Sequence, residues 1–422
     1  MGIGFWHLDA CCNNTNKIRR LLSKYYNSCA DLTKFTPQSR QHPMKLFINT
    51  TNLKQGGSLQ VSASIISEFI NFPENEYHIF LSPQFAAVVD KAAFPGNFHF
   101  YELGDNPISS LKNLLGFRKL MNRHERRLKP DFVFTVFGPA LWKSKAPHLI
   151  GFANGLYLYD KSKFIQDIWL DTPVRRLYFY LRRFLLLREL KREATLLWTE
   201  TDHARSEISK ALGIPGEKIR VISNTYGPAY ANASSSAPPH RADAPFTFLY
   251  LTADYPHKNL EIFNKLIPVL KKRGTICRFM LTLPPAAFQR RFPNYLNDPM
   301  LMNIGPVLPA DGPATYNKAD ALFFPSLIET FSANYPEAMV MCRPIISSDL
   351  PFAHDICGAA ALYFDPFDAG SAADAIETLI NDPVLYSKLL EDGLKRLQHF
   401  GTATGRAENL LNMMKDYLLN AR

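Results

Sequence analysis

Residues 44–70 read MKLFINTTNLKQGGSLQVSASIISEFI, and this stretch decides the fold class. The run 45–49 is apolar enough for a buried strand, and apolar residues between 59 and 70 recur at helical spacing. Gln55-Gly56-Gly57-Ser58 forms a turn between them. A buried strand followed at once by an amphipathic helix predicts the start of a parallel sheet with crossover helices.

The same alternation continues along the chain in two series. Strand-like apolar runs of the first series lie at 78–81, 98–102, 132–136 and 148–152. Those of the second series lie at 246–252, 276–283, 321–324, 344–347 and 361–364. Between the two series, 227–245 is rich in Ala, Ser and Pro and has no periodicity, which is typical of a linker. The 422 residues also exceed what one core fills, about 250–300 residues, so two doubly wound α/β domains are predicted.

These patterns give a division of the chain. We expect an N-terminal extension at 1–43, an N-terminal domain at 44–228, a linker at 229–245, a C-terminal domain at 246–395, and a C-terminal helix at 396–422 that packs back on the N-terminal domain. The composition changes abruptly at Met44, which we interpret as the start of the folded part; a genuine N-terminal arm is the alternative. We find neither a signal-peptide pattern nor an apolar run of about 18 residues.

The net charge of +10 predicts an anionic partner, which can be nucleic acid, an anionic membrane or a phosphorylated substrate. Residues 174–193, VRRLYFYLRRFLLLRELKRE, interleave arginines with Leu, Tyr and Phe, a composition typical of a helix lying on an anionic bilayer. The alternative is an amphipathic helix packed on its own sheet, and the two can hold together. No nucleic-acid-binding motif is present, so we predict no nucleic-acid partner.

Three groups of residues are candidates for a functional site. The amides of Gly56 and Gly57 can approach an anion at the start of a helix, although a glycine pair is often only a turn. Lys258 follows the first strand of the second series and can meet a phosphate, or be a solvated surface lysine. Glu329 and Glu337 bracket a loop that becomes a helix. There Glu337 is expected to be ionised near the helix N-terminus and can accept hydrogen bonds from two vicinal hydroxyls. The alternative is that Glu329 and Glu337 only cap the helix.

Residues 327–339 resemble the signature of the retaining GT4 glycosyltransferases, in which a glutamate, seven residues and Glu-Ala follow one another. The resemblance extends over 44–381, with the Gly56-Gly57 loop and the Lys258-Asn259 turn in the expected order. It implies the GT-B fold, in which two Rossmann-like doubly wound parallel-sheet domains face a central cleft.

The resemblance also implies roles for these residues. The donor is a nucleoside-diphosphate sugar, Glu337 binds the ribose hydroxyls, and Glu329 binds the transferred sugar. Lys258 neutralises the diphosphate, and Gly56 and Gly57 meet the pyrophosphate. The amides of Thr330 and Phe331 touch sugar or phosphate. No metal or other cofactor is expected, in keeping with a sequence that lacks an Asp-x-Asp triplet and His/Cys ligand clusters.

Two positions depart from the family pattern. Ala253 stands where many relatives have an arginine, and Arg278, Arg343 or a backbone nest are the candidates to replace its charge. Asn154 stands near the place of a common histidine in the N-terminal domain. It can bind a sugar hydroxyl on the acceptor side but cannot act as a base.

The sequence therefore predicts a cytoplasmic, membrane-peripheral glycosyltransferase. Its acceptor is a glycan or a lipid-linked glycan, as in the synthesis of lipopolysaccharide, O-antigen or exopolysaccharide. The alternatives are a nucleotide-sugar epimerase of the same fold and a non-catalytic nucleotide-sugar-binding scaffold. A Rossmann dehydrogenase is disfavoured because no Gly-x-Gly-x-x-Gly follows either first strand.

Overall fold

The computed structural model describes residues 43–54, 56–103, 111–231, 233 and 244–421. These residues form two compact units, each built on one parallel sheet. We call 43–224 together with 402–421 the N-terminal domain, and 225–401 the C-terminal domain. The predicted fold class, α/β with two doubly wound parallel sheets, is confirmed.

Seven strands form the sheet of the N-terminal domain among the described residues. They are β1 (Lys45–Thr50), β2 (Glu76–Leu81), β3 (Phe98–Glu102), β4 (Phe132–Thr135), β5 (His148–Gly151), β6 (Leu196–Thr199) and β7 (Ile219–Val221). The helices before residue 224 are α1 (Gly57–Glu68), α2 (Pro83–Ala86), α3 (Leu111–Leu128), α4 (Gly155–Leu158), α5 (Pro173–Glu193) and α6 (Asp202–Leu212). The strand order is β3-β2-β1-β4-β5-β6-β7, so that the winding reverses between β1 and β4.

Buried β-forming side chains explain why β1 lies in the interior of this sheet. Leu46, Phe47 and Ile48 are fully buried, and β1 pairs in parallel with both β2 and β4. The chain then turns at Gly56, whose φ of 73° and ψ of −155° suit glycine alone, and α1 begins at Gly57. The Gly56 turn therefore lies at the carboxyl edge of the sheet, close to the reversal point, where α/β folds bind ligands.

The C-terminal domain repeats this plan with six described strands. They are β8 (Phe246–Tyr250), β9 (Cys277–Leu281), β10 (Leu301–Asn303), β11 (Ala321–Phe324), β12 (Ile345–Ser348) and β13 (Ala361–Phe364). Its helices are α7 (Pro228–Ala231), α8 (Ile262–Arg273), α9 (Pro285–Arg291), α10 (Gly312–Tyr316), α11 (Asn334–Val340), α12 (Pro351–Cys357), α13 (Ala369–Asn381) and α14 (Pro383–Leu397). The order β10-β9-β8-β11-β12-β13 reverses between β8 and β11.

The last helix, α15 (Ala403–Asn420), belongs to the N-terminal domain. Its buried Leu410, Leu411 and Met414 join the core that also contains Ile65 and Ile66 of α1. The helix begins at 403 rather than at the predicted 396, because Leu397 ends α14 and the Thr402 hydroxyl caps the new helix by accepting from the Gly405 amide at 3.0 Å.

The predicted linker also differs from the structure. The chain leaves the N-terminal domain between Asn224 and Thr225, and Tyr230 of α7 is buried in the C-terminal core. A single aromatic anchor inside an Ala/Ser/Pro-rich stretch leaves no periodic signal, which is why the predicted boundary at 228 is too late. Residues 232 and 234–243 of that linker, and residues 1–42 of the predicted extension, lie outside the described residues.

Candidate functional site

Two loops meet at the carboxyl edge of the C-terminal sheet, one after β8 and one after β11. A short 3₁₀ turn, Pro256–Lys258, follows β8, and the buried Tyr250 hydroxyl fixes it by donating to the Lys258 carbonyl at 2.9 Å. The Leu327 amide of the second loop donates to the His257 carbonyl at 2.8 Å. These bonds hold the two loops together at the point where the strand order reverses, the usual ligand position in such sheets.

Lys258 and Glu329, both predicted from sequence, form an ion pair there. The Lys258 ammonium contacts Glu329 Oε1, and the Ser326 hydroxyl donates to the same oxygen at 2.7 Å. The two side chains are only 15% and 11% exposed, so each charge depends on the other for solvation. Both contacts use Oε1, which leaves Oε2 to accept from the hydroxyls of a ligand.

His257 belongs to the same turn, and sequence reasoning missed it. Burial lowers the pKa of His257 to about 4; the nearby Glu329 carboxylate opposes this effect and the Lys258 ammonium reinforces it. The ring stacks on Tyr255, with centroids 5.6 Å apart. At neutral pH it is therefore an uncharged neighbour of the ion pair.

Glu337 lies in the first turn of α11 and hydrogen-bonds two tyrosines. The hydroxyls of Tyr230 and Tyr316 donate to its carboxylate, and Tyr316 shares its hydroxyl with the Asn334 carbonyl at 3.1 Å. Burial raises the pKa of Glu337 to about 7, although the two tyrosines lower it in part. The shift is opposite to the one expected from the helix N-terminus alone, because loss of water outweighs the dipole of so short a helix.

The approach of Tyr230 depends on Gly312. A Cβ at position 312 would lie 2.0 Å from the Tyr230 hydroxyl oxygen, inside any permitted contact. Glycine at the start of α10 thus leaves room for the hydroxyl that reaches Glu337. Neither tyrosine nor this glycine stands in a sequence pattern that would have revealed its role.

Thr330 and Phe331 follow Glu329 directly in the loop. Thr330 is buried, and Phe331 packs edge-on against Phe400, with ring centroids 5.8 Å apart. The Asn334 side chain donates to the Leu251 carbonyl at 2.7 Å and ties this loop to the end of β8. The backbone amides named in the prediction are therefore held on a packed loop beside Glu329.

The structure excludes both arginines offered as replacements at position 253. Arg343 is 1% exposed, and its guanidinium donates to the carbonyls of Tyr316, Met341 and Cys342 at 3.0, 2.7 and 3.1 Å. Arg278 stands at the amino end of β9, at the opposite edge of the sheet, and donates to the Pro299 carbonyl at 3.1 Å.

The cations near Ala253 come from another element. Arg290 and Arg291 of α9 both form ion pairs with Asp254, the next residue along the chain, and Arg291 also contacts Glu261 at 2.8 Å. The sequence alone gives no reason to connect 290 and 291 with 254.

The predicted residues of the N-terminal domain lie in loops after its strands. Gly56 precedes α1, and open space surrounds the Cα of Gly57 on the side where a Cβ would stand. Asn154 precedes α4, and its carbonyl accepts from the amides of Tyr157 and Leu158, each at 3.1 Å. Both loops thus present backbone or amide groups at the carboxyl edge of the sheet.

Helix α5 has one buried face and one exposed apolar face. Phe179, Leu187 and Leu190 are buried in the domain. The exposed apolar and aromatic side chains are Val174, Leu177, Tyr178, Tyr180, Leu181, Phe184 and Leu185. Exposed arginines at 175, 176, 182 and 188 are interspersed with them. Among the described residues, no helix is long and apolar enough to span a membrane.

Comparison with known proteins shows which family the C-terminal domain resembles. Residues 245–382, which carry Lys258, Glu329 and Glu337, match the sequence profile of Glycosyl transferases group 1. The chain is therefore similar to the glycosyl transferases group 1 family over most of its C-terminal domain. One curated relative, O-antigen chain mannosyltransferase RfbU of Salmonella typhimurium, is 26% identical over 60% of this chain and 66% of its own length. The match therefore spans slightly less than two thirds of that relative.

Solved structures extend the likeness to both domains. A glycosyltransferase from Rickettsia africae covers 90% of this chain and 99% of its own, with a TM-score of 0.67 at 14% identity. Anabaena HepE, solved in complex with UDP and glucose, covers 88% of this chain and 99% of its own, with a TM-score of 0.62 at 14% identity. At these identities the likeness establishes the fold, which is GT-B.

Proposed function

We propose that this protein is a retaining glycosyltransferase that moves a sugar from a nucleoside-diphosphate sugar to a glycan or lipid-linked acceptor in the synthesis of a cell-surface polysaccharide. The observation that carries the proposal is the pairing of Lys258 with Glu329, in the same domain as the buried carboxylate of Glu337, inside the region that matches the family profile. The donor class is supported by HepE, solved with UDP and glucose, and the acceptor class by the name of RfbU.

Each part of the donor has a matching group in the C-terminal domain. The Glu337 carboxylate accepts from the two ribose hydroxyls, and Glu329 Oε2 accepts from hydroxyls of the sugar. The Lys258 ammonium contacts a diphosphate oxygen while remaining close to Glu329. The amides of Thr330 and Phe331 add bonds to sugar or phosphate. In the N-terminal domain, the Gly56-Gly57 turn offers amides to a phosphate, and Asn154 offers a side-chain amide to an acceptor hydroxyl.

The transfer needs no protein base under this proposal. The bond between the anomeric carbon and the diphosphate oxygen breaks, and the acceptor oxygen bonds to the same face of that carbon. The proton of the acceptor hydroxyl passes to the departing diphosphate, so that charge and atoms balance. Lys258 stabilises the negative charge that develops on the leaving oxygen, and we propose that this stabilisation makes a metal unnecessary.

Binding of nucleoside diphosphates tests the donor site. We expect calorimetry with nucleoside diphosphates of different bases to identify one that binds the parent protein. That ligand should bind Glu337→Ala at least tenfold more weakly, since the variant loses two hydrogen bonds to the ribose hydroxyls. Glu408→Ala, at an exposed position of α15, is the matched control and should bind like the parent. Equal binding by the parent and Glu337→Ala would remove Glu337 from the site. An assay of radiolabelled sugar transfer to an acceptor distinguishes the three functions, because only a transferase labels the acceptor, whereas an epimerase or a non-catalytic scaffold does not.

We further propose that the exposed face of α5 rests on an anionic membrane surface, which would bring the enzyme to a lipid-linked acceptor from the cytoplasmic side. Apolar side chains enter the headgroup boundary while neighbouring arginines meet lipid phosphates. Leu177, Leu181 and Phe184 recur at the spacing of one helical face, and all three are more than half exposed.

Vesicle sedimentation tests this docking. The parent should bind phosphatidylglycerol vesicles and not phosphatidylcholine vesicles. The double variant Leu177→Asn/Phe184→Asn should lose most of that binding and keep its melting temperature. Val384→Asn is the control, because Val384 is at least as exposed as Leu177 and Phe184 but lies on α14 of the other domain. Unchanged binding by the double variant, or equal binding to both lipids, contradicts the proposal.

A further inference from the structure

Three side chains on one face of the N-terminal sheet bring metal-ligand atoms together. Glu76 and His78 are two residues apart on β2 and so point to the same side, and β3 places His99 directly opposite His78 in register. The imidazole rings of the two histidines stack with centroids 4.8 Å apart. Their positions near the amino ends of β2 and β3 put the cluster at the edge opposite the Gly56 turn.

The distances suit a small ion held by this cluster. Glu76 Oε1 lies 3.0 Å from His78 Nε2 and 3.6 Å from His99 Nε2, and the ligand atoms of all three residues lie within 4.8 Å of one another. A tetrahedral ion with bonds of about 2.0–2.1 Å separates its ligands by ~3.4 Å. The two distances from Glu76 Oε1 to the histidine nitrogens are thus close to that value, and the third separation is the one between the two histidines. The third can close by rotation of the His99 ring, which is 42% exposed.

The surroundings orient the ligands in the way that metal sites require. His78 Nδ1 lies 3.0 Å from the Tyr101 hydroxyl, which fixes the ring with Nε2 directed at Glu76. Lys45 Nζ contacts Glu76 through the other oxygen, Oε2, at 3.2 Å. That ammonium opposes a second cation electrostatically, yet it also holds the carboxylate so that Oε1 faces the two imidazoles.

We propose that Glu76, His78 and His99 bind one divalent transition-metal ion, for which Zn²⁺ is the best match. Two imidazoles and a carboxylate are ligands that Zn²⁺ accepts, with water completing the tetrahedron. The ion would clamp the edge strand β3 to β2 and has no part in the proposed sugar transfer. The site therefore goes beyond the proposed function and does not depend on it.

Zinc titration of the untagged full chain, after removal of metals with a chelator, tests the site. Competition with a chromophoric chelator counts the bound equivalents. We expect the parent to bind one equivalent more than His99→Ala and one more than Glu76→Gln. His354→Ala is the control: this exposed histidine pairs with Asp349 in the C-terminal domain, and its loss should leave the count unchanged. Ligands elsewhere in the chain contribute equally to every variant, so the difference isolates the cluster.

Two further readouts separate a real site from adventitious binding. Zn²⁺ should raise the melting temperature of the parent more than that of His99→Ala, because only the intact cluster adds a metal link to the pairing of β2 with β3. The difference spectrum of the Co²⁺ forms of the two proteins should show tetrahedral bands without thiolate charge transfer. Equal stoichiometry in the parent and in His99→Ala would overturn the proposal. Sugar transfer by His99→Ala should equal that of the parent, so failure of one proposal leaves the other intact.

Discussion

Glu337 combines a buried carboxylate with two tyrosine donors, and its pKa of about 7 should make the proposed donor binding sensitive to pH. Below that pH the carboxyl carries a proton and can accept fewer hydroxyl bonds, so affinity for the donor should fall as pH falls, by up to tenfold per unit. Calorimetry with a sugar nucleotide of the base that the panel identifies, from one pH unit above to one pH unit below the pKa of Glu337, measures this, since the phosphates of a sugar nucleotide do not titrate there. Glu337→Gln should bind more weakly and give a flat profile; a sloping profile in that variant would assign the effect to another group.

Lys258 supplies the positive charge beside Glu329. We expect Lys258→Met to lower kcat by about 10²–10³-fold, the usual cost of losing one preorganised group that stabilises charge in a transition state. Initial rates of sugar transfer measure the loss, and circular dichroism checks the fold. Lys265→Met, at an exposed position of α8, should keep full activity. A Lys258→Met variant that retains more than a third of the parent rate would remove Lys258 from the mechanism.

The residues predicted from the sequence and those that only the structure reveals differ in a physical way. Lys258 and Glu329 each follow a strand of a parallel sheet, and neighbouring strands bring their carboxyl ends to one edge, so the contact between them follows from topology. Tyr230 reaches Glu337 from the short helix α7, for which the sequence has no periodic signal. Arg343 is buried because backbone carbonyls, among them that of Met341, surround its guanidinium, and carbonyl positions cannot be inferred from residue types.

Among the elements, α5 shows why the pattern of 174–193 favoured two interpretations. The helix has apolar residues on two faces: Phe179, Leu187 and Leu190 pack inward, while a second apolar set faces outward among arginines. Period alone cannot say which apolar residues are buried when both faces contain them. The structure shows the packed face, and the exposed face carries the membrane proposal.

Glu193 anchors the end of α5 and predicts how stability depends on pH. Its side chain is buried, and Oε2 accepts from the amides of Ala140 and Leu141 at 2.8 and 3.3 Å. Burial raises the pKa of Glu193 from 4.5 to about 8, although these amides lower it in part. A raised pKa means that the folded state holds the proton more tightly. The stabilisation is therefore complete below the unfolded pKa and is lost as pH rises through about 8.

Glu193→Gln keeps an amide-accepting oxygen and removes the titration. Relative to this variant, the unfolding free energy of the parent should decrease by about 1.4 kcal/mol per pH unit between the two pKa values. Urea unfolding at several pH values gives the difference directly. Glu408→Gln, exposed on α15, should follow the parent at every pH. Parallel curves for the parent and Glu193→Gln would show that Glu193 stays ionised in the folded protein.

For the whole molecule, the chain enters and leaves the C-terminal domain at adjacent points. Thr225 begins that domain and donates through its hydroxyl to the carbonyl of Gly401, its last residue, at 3.3 Å. Just beyond, Arg406 of α15 contacts Asn224 and donates to Ser64 of α1 at 2.7 Å. The sequence predicted the return of a C-terminal helix to the first domain, but the crossing points depend on contacts between distant residues.

Because the chain leaves the N-terminal domain after residue 224 and returns to it at residue 402, we predict that this domain cannot fold from the first part of the chain alone. A fragment of residues 43–224 lacks the buried side chains Leu410, Leu411 and Met414, each worth about 1.5–3 kcal/mol of burial, which together rival the total stability of a domain. We expect this fragment to bind a hydrophobic dye and to melt without cooperativity. Joining 402–421 to residue 224 through a short Gly/Ser linker should restore a cooperative transition, because the two crossing points are adjacent. The same fusion with Leu410→Asp should not regain the cooperative transition. A cooperative transition of fragment 43–224 by itself would show that the domain does not need α15.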